Sequence, residues 1–377
     1  MTSAWLDLTD SLDVIVERGD VSEIEVVRVA LPLLHEHRAA HGTESMREAV
    51  LVRVDIDGAT GWGECSALTH PTYSHEYAGG AFRVLVDEVA PWLLGRGHRV
   101  VANPMALSAV LSAHLDAGLR ARDLNLAAHL GQLHGRPAAT LPVTAVIGRS
   151  TDIDELLAIV ERRRSEGAAL VKLKVSSHPD DLQAVITVRS TWPSLALAVD
   201  ANGSLDQRSV GVLEGLGLAY VEQPAPAEDL LMSANLAERL SCPVALDESI
   251  GSLGSLRLAV AVGAGLVLNV KPARLGGPAG AAALAREALD LGWEVFVGGM
   301  LETGVGRASA ACLASLPMFR LPTDLGPSRR YFDRDVTDPV TLDENGRLVV
   351  PVGPGSGVWP DLGTGDQRVL DRVTLKR

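Results

Sequence analysis

From Leu141 onward the chain alternates short apolar runs with longer stretches of helical pattern. The runs read LPVTAVIG, ALVKLKV, LALAVDANG, LAYVEQP, PVALDES and LVLNVKP, and between them lie stretches such as HPDDLQAVITVRSTW, DLLMSANLAERL and SLRLAVAVGA. Short apolar runs separated by helical text indicate a parallel sheet. The last five runs end in Lys174, Asp200, Glu222, Asp247 and Lys271, at intervals of 26, 22, 25 and 24 residues. Each interval has room for a strand, a loop, a helix of about 10–12 residues and a second loop, the size of a βα unit. Five successive polar strand ends suit an α/β fold of the (β/α) TIM-type barrel, whose site collects groups from the C-terminal ends of its strands. A doubly wound open sheet would not bring five such ends round one centre, and no GxGxxG follows the first strands.

The first part of the chain reads differently. EIEVVRVALPL and EAVLVRVDID alternate like strands around the polar segment HEHRAAHGTES, a GWGE turn follows at Gly61–Glu64, and helical text covers about 74–94 and 104–133. A barrel needs about 250 residues, so a chain of 377 is expected to carry one smaller additional domain. The expected division is an α+β capping domain at 1–140, the barrel at 141–316, and a C-terminal segment at 317–377 that returns to the cap with a short strand at RLVVPVG. The first 20 residues form an acidic leader of no evident structure.

Composition narrows the class. Hydrophobic residues make up 47% and charged residues 21%, as in a globular protein with a large core. A net charge of −13 without a basic stripe excludes a nucleic-acid partner. The longest apolar stretch, Leu258 to Val270, is too short to span a bilayer, so no membrane partner is expected. The N-terminus lacks the basic-then-apolar layout of a signal peptide. Cys65, Cys242 and Cys312 are few and sit in apolar surroundings, which fits reduced packing residues in a cytoplasmic protein. A homo-oligomer is expected.

Only four of the 34 basic side chains are lysine, and Lys172, Lys174 and Lys271 fall in strand-like runs among the acids. Burial and neighbouring charge bring a lysine, unlike an arginine, to a pKa at which it exchanges protons. Lys172 and Lys174 are two residues apart and share one strand face, so each is expected to depress the other's pKa. Asp200, Glu222 and Asp247 on adjacent strand ends form an oxygen-only set, which suits Mg²⁺, or Mn²⁺, rather than zinc. Taken singly, each acid is as readily an N-cap of the following helix. A cation flanked by lysines suits removal of a proton beside a substrate carboxylate, where the enediolate needs strong electrostatic stabilisation.

KxK, DAN, EQP, DES, NVKP and GGMLETGVGR, in that order, resemble the enolase superfamily in its muconate-lactonizing subgroup. GGMLETGVGRASA, SRRYFDRDVTDP and GTESMREAVLVRV are similar to its o-succinylbenzoate synthase and N-acylamino acid racemase branch. The resemblance implies Lys174 as base, Lys172 as its partner, Lys271 on the opposite face, and Asp200, Glu222 and Asp247 as Mg²⁺ ligands. It implies substrate contacts from Asn202, Gly298, Gly299, Met300 and Glu302. Gly298, Gly299 and Met300 would let a substrate's acyl arm approach the backbone closely, with strand-end packing as the alternative; Glu302 would be a supporting hydrogen-bond partner or a surface residue. Dipeptide epimerases of the superfamily carry Asp-x-Asp where this chain has Gly-Gly-Met-Leu, which disfavours a free α-ammonium substrate. In the cap loop, His37 and His41 stand where the branch has aromatic residues, and imply either a more polar lid or histidine rings that take over the same packing. The implied activity on a small-molecule carboxylate is, first, syn dehydration to o-succinylbenzoate in menaquinone biosynthesis. Racemisation of N-succinyl or other N-acyl amino acids is the alternative, and muconate cycloisomerisation comes third. A non-catalytic barrel binding an acidic ligand through Mg²⁺ is the reading from a different class.

Overall fold

An antiparallel sheet and a ring of parallel strands divide the structure, a computed structural model that describes residues 21–39 and 42–377. The acidic leader and His41 lie outside the described residues. Strands β1 (Val21–Ala39), β2 (Gly42–Ile56) and β3 (Ala59–Cys65) join β13 (Val369–Lys376) in the order β13-β1-β2-β3. Successive residues of a strand face opposite sides. On one side Ile24, Val26, Val50, Val52 and Val54 form a core with Leu85, Leu93, Leu107 and Val110 of the cap helices. On the other, Val27, Val29, Leu31, Ala49 and Leu51 pack with Trp62 against Val305, Phe332 and Val336. Both faces of the sheet therefore carry buried apolar residues.

The cap helices are α1 (Ala78–Val84), which runs through a π turn into α2 (Ala90–Leu93), then α3 (Pro104–Arg120) and α4 (Leu126–His134). The expected GWGE turn is instead part of strand β3. Its glycines are there for close approach: a Cβ on Gly61 would lie 2.1 Å from the Ala113 carbonyl oxygen, and one on Gly63 would lie 2.0 Å from that of Ala109. Helix α3 thus lies directly on the strand, a use of glycine that local propensity reads as a turn.

After β4 (Thr140–Leu141) come seven parallel strands in sequential order: β5 (Thr144–Ile147), β6 (Leu170–Lys174), β7 (Leu197–Asp200), β8 (Val221–Glu222), β9 (Val244–Leu246), β10 (Val267–Val270) and β11 (Glu294–Val297). Helices α5 (Ile153–Ser165), α6 (Pro179–Thr191), α7 (Gln207–Leu213), α8 (Leu230–Ala237), α9 (Leu253–Val262), α10 (Gly277–Asp290) and α11 (Gly304–Ala314) alternate with them. Asp152, Asp206, Asp229, Ser252 and Thr303 cap helices with their side chains. The three acids Asp200, Glu222 and Asp247 do not, so the N-cap alternative falls away for them.

The sheet curls until its ends meet. Thr144 N donates to Thr323 O (2.8 Å), Thr323 N to Pro142 O (3.0 Å) and Asp324 N to Val297 O (3.1 Å). The segment around Thr323 therefore bridges β11 and β5 as an eighth staple of the ring, although the expected division at 316 assigns it to the tail. Two tail strands take different partners. RLVVPVG supplies β12 (Leu348–Val349), which pairs with β4 rather than with the cap, and β13 is the strand that returns to the cap sheet. No described helix is long and apolar enough to cross a membrane.

Candidate active site

Register carries the site. Lys174 pairs with Asp200, Asp200 with Glu222 and Glu222 with Ala245, while Ala245 pairs with Val267. Residues two apart share a face, so Lys172, Lys174, Asp200, Glu222, Asp247, Asn269 and Lys271 belong to the inner wall. Their outward neighbours Leu173, Val199, Val221, Leu246 and Val270 join the core under the helices. One layer further down, Leu170, Ala198, Tyr220, Ala245, Val267 and Phe296 plug the ring with apolar groups. The charged layer thus has a dry floor. Above it opens a cavity of about 230 Å³, which Lys172, Lys174, Asp200, Glu222, Asn269 and Lys271 line from the ring and Leu33, Leu68 and Tyr73 line from the cap.

Each lysine is held by carboxylate. Lys172 Nζ donates to Glu222 Oε2 at 2.5 Å and also to Asp324 Oδ2. Lys174 Nζ lies 2.9 Å from Asp200 Oδ2 and 2.8 Å from Asn202 Oδ1. Lys271 Nζ lies 2.6 Å from Asp247 Oδ2 and 4.9 Å from the centre of the Tyr73 ring. Arg274 Nη2 donates to Asp247 Oδ1 at 2.7 Å, and Asn269 Nδ2 to Glu222 Oε1 at 2.6 Å. Asn202 has a left-handed backbone (φ 42°), which lets its N–H reach Asp200 Oδ1 (3.1 Å) while its amide bridges Lys174 and Glu248. Sparsely populated backbone of this kind collects at functional sites.

The titration pattern corrects one expectation. Burial opposes the charged Lys172, but Asp324 and Glu222 outweigh it and hold its pKa well above the ordinary value. Burial opposes Lys271 too, and Asp247 and Tyr73 raise it likewise. Neither of these lysines is depressed, because each ammonium touches a carboxylate more closely than it approaches another cation. Burial drives Glu222 up to about 8; Lys172 pulls it down, while Asp200, Asp324 and Asp247 push it further up. Asp200 falls to about 2, burial being overcome by Lys174 and Lys172. That Lys172 and Glu222 both shift upward marks a cluster short of positive charge: one ammonium serves two acids.

This bears on a cation. Among the described residues, no three His, Cys, Asp or Glu side chains converge as a metal-binding group. Asp200, Glu222 and Asp247 do not meet at a point; each is turned onto a lysine. Their chemistry nonetheless fits a hard divalent ion, being all-oxygen and acid-rich, with Asn269 Oδ1, Asp324 Oδ1 and Glu248 Oε2 buried beside them without a hydrogen-bond partner.

The remaining expected residues divide. Asn202, Gly299, Met300 and Glu302 line the cavity. Glu302 is 4% exposed and accepts from Met300 N, so it is not a surface residue. Gly298 is a packing position: a Cβ there would lie 2.0 Å from Asn269 Oδ1. The backbone of His37 pairs with Glu44 across β1 and β2. Nothing places the His37 side chain among the described residues, and His41 is outside them altogether. Sequence reasoning missed Asp324, Tyr73, Asn269 and Arg274. Asn269 and Arg274 stand in the NVKPAR run beside Lys271 and share its signal; Asp324 and Tyr73 sit in loop-like text that carries none.

Known proteins place this geometry. Residues 155–363 match the family model described as enolase C-terminal domain-like. The chain is 38% identical to an N-succinylamino acid racemase of Amycolatopsis sp, over 95% of this chain and 98% of the relative. It is 32% identical to the o-succinylbenzoate synthase of Bacillus subtilis (strain 168), over 90% and 94%. A crystal structure of an enolase superfamily member from Listeria innocua is similar with a TM-score of 0.87 at 29% identity, covering 94% of this chain and 99% of that one. Members of the superfamily generally use Mg²⁺. The chain belongs to the enolase superfamily, as an enzyme in the branch of its muconate-lactonizing subgroup that holds these synthases and racemases.

Proposed function

We propose that the protein removes the proton from the carbon beside a substrate carboxylate and returns it to the opposite face, racemising N-acyl amino acids and N-succinyl ones in particular. One observation carries this reading: Lys174 and Lys271 line a single cavity from β6 and β10, well apart on the ring, each on its own carboxylate. A carbon between them has an amine on either side. The identity to the Amycolatopsis racemase supports the same outcome.

In this reading Lys174 takes the proton from one enantiomer and Lys271 from the other. Lys172, fixed between Glu222 and Asp324, supplies positive charge beneath the substrate. Leu33, Leu68 and Tyr73 of the cap shut water from the reacting carbon. Asp200, Glu222 and Asp247 would hold Mg²⁺, or Mn²⁺, whose chemistry when bound is to stabilise the enediolate. Glu222 and Asp247 hold Lys172 and Lys271 as ammonium ions, so Lys271 becomes a base only once Asp247 has another partner.

Syn dehydration to o-succinylbenzoate, the outcome the sequence motifs put first, is the second reading. It needs Lys174 as base and then acid, and relatives named o-succinylbenzoate synthase favour it at 32% and 34% identity. Each enantiomer of an N-succinyl amino acid, incubated with the enzyme and Mg²⁺ in deuterium oxide, is expected to gain deuterium at the α-position and interconvert. No deuterium in either enantiomer would sink the racemase reading, and formation of o-succinylbenzoate from its hydroxy acid precursor would then establish the second. Chelation is expected to abolish exchange and added Mg²⁺ to restore it.

A further inference from the structure

Two arginines on the wall of this cavity are left unanswered by its acids. Arg163 comes from the last turn of α5 and Arg330 from the 3-10 turn Ser328–Arg330, just past the Thr323 segment. Both belong to the seam where the ring closes, since Thr144 of β5 bonds to Thr323. The other cations of the wall are met: the three lysines by carboxylates, and Arg307 by the carbonyls of Gly326 (2.7 Å) and Glu302. Arg163 gives Nη1 alone to Glu166, at 2.7 Å, with its side chain 20% exposed. Among the described residues Arg330 has no ion pair or side-chain hydrogen bond. Its Nη1 lies 3.1 Å from where a Cβ on Gly326 would stand, so that glycine leaves the guanidinium its place. Burial works against the Arg330 cation, as do the like charges of Arg163 and Arg307, with the Tyr331 hydroxyl and the Glu166 carboxylate partly offsetting them. A guanidinium does not relieve such a position by losing its proton.

We propose that Arg163 and Arg330 form an anion-binding subsite for a second carboxylate of the substrate, carried on the arm remote from the reacting carbon. Guanidinium groups present paired N–H donors that match a carboxylate, and such charge-assisted contacts are stronger than neutral ones. The subsite selects dicarboxylic substrates, an N-succinyl amino acid over a neutral N-acyl one. The identification of the remote arm rests on the function proposed above; the match of two arginines to one carboxylate does not.

Equilibrium binding separates the two. N-succinylalanine and its analogue ending in a carboxamide are titrated calorimetrically into the Mg²⁺-loaded enzyme and into the Arg330→Gln and Arg163→Gln variants. The enzyme is expected to bind the carboxylate-ended ligand about 100-fold more tightly, and each variant to lose about 10-fold or more of that preference while holding the carboxamide within about twofold. Equal affinity for the two ligands in the unaltered enzyme overturns the subsite, as does an equal loss for both ligands in the variants. Should Arg330→Gln fail to fold, Arg163→Gln, on a part-exposed helix turn, decides between these outcomes. Deuterium exchange on the same ligand reports separately: charge preference without exchange refutes racemisation alone, and exchange without charge preference refutes the subsite alone.

Discussion

Buried charge is handled in two ways in this molecule. At the strand ends of the ring, side chains answer side chains: Lys172 with Glu222 and Asp324, Lys174 with Asp200, Lys271 with Asp247. Where cap meets barrel, the backbone answers instead. Arg47, with no exposed surface, donates to the carbonyls of Ser66 (2.6 Å), Ala67 (2.8 Å), Met300 (3.1 Å) and Leu301 (3.1 Å). Glu64 accepts from Thr303 N (3.0 Å), Thr303 Oγ1 (2.6 Å) and Gly306 N (2.9 Å). Asp116 takes the N–H groups of Trp62 and Ser356, and the Arg120 guanidinium (2.7 Å) besides. A charge tied to main chain cannot change partners without moving the fold, whereas a charge tied to another side chain exchanges partners through a rotamer. The first arrangement builds a joint, and the second can do chemistry.

The largest expected effect comes from cutting a ring charge. Lys174→Ala should lower α-proton exchange about 10³- to 10⁴-fold, the worth of a positioned base near the top of its usual range, in a protein that still folds. A variant that keeps full turnover would show that Lys174 is not the base. Cutting a seam charge should do the reverse. Arg47→Met leaves buried carbonyls unpaired, and chemical denaturation should show a loss of about 3 kcal/mol or more, with a modest change in exchange per folded molecule. Stability within about 1 kcal/mol of the parent would break the distinction drawn between ring and joint.

The same distinction explains what could be read in advance. The ring was legible because each catalytic candidate ends an apolar run at a βα interval, so pattern and chemistry coincide at Lys174, Asp200, Glu222, Asp247 and Lys271. The joint was not. Arg47 sits inside a strand that alternates like any other, and Gly61 and Gly63 look like a turn because sequence does not show the helix lying on them. Asp324 was lost because its segment is held by hydrogen bonds to both neighbours without forming a long apolar run. The convergence of the three acids was expected from their charges, and it fails among the described residues because lysines stand nearer to each of them.

A pH series sharpens the comparison at Glu64. Burial pushes its carboxyl up from 4.5 to about 7; the Thr303 and Gly306 donors pull it back, while Glu302 raises it further. With a folded pKa above the unfolded one, the folded form holds the proton longer. The contribution to stability is therefore full below about 4.5 and is lost as pH rises to about 7. Glu64→Gln should remove that slope from the window, an effect on the order of 3 kcal/mol across it. A parent whose stability is level between these limits would show the donors winning and the joint permanently charged.

The smallest effects test two adjacent glycines that the motif treats alike. A Cβ at Gly298 would stand 2.0 Å from Asn269 Oδ1, whereas one at Gly299 meets nothing nearer than Glu302 Oε2 at 3.5 Å. Gly298→Ala must push Asn269, and Asn269 donates to Glu222, so the disturbance passes into the ring. Overpacking of this kind costs about 1–3 kcal/mol, and turnover should fall with stability. Gly299→Ala should leave stability within about 0.5 kcal/mol, although its backbone lines the cavity. If it also leaves substrate affinity alone, close backbone approach by a substrate arm is ruled out there; if it weakens binding while the fold holds, the two glycines divide the labour, Gly298 keeping the ring's side chains in register and Gly299 keeping space for ligand.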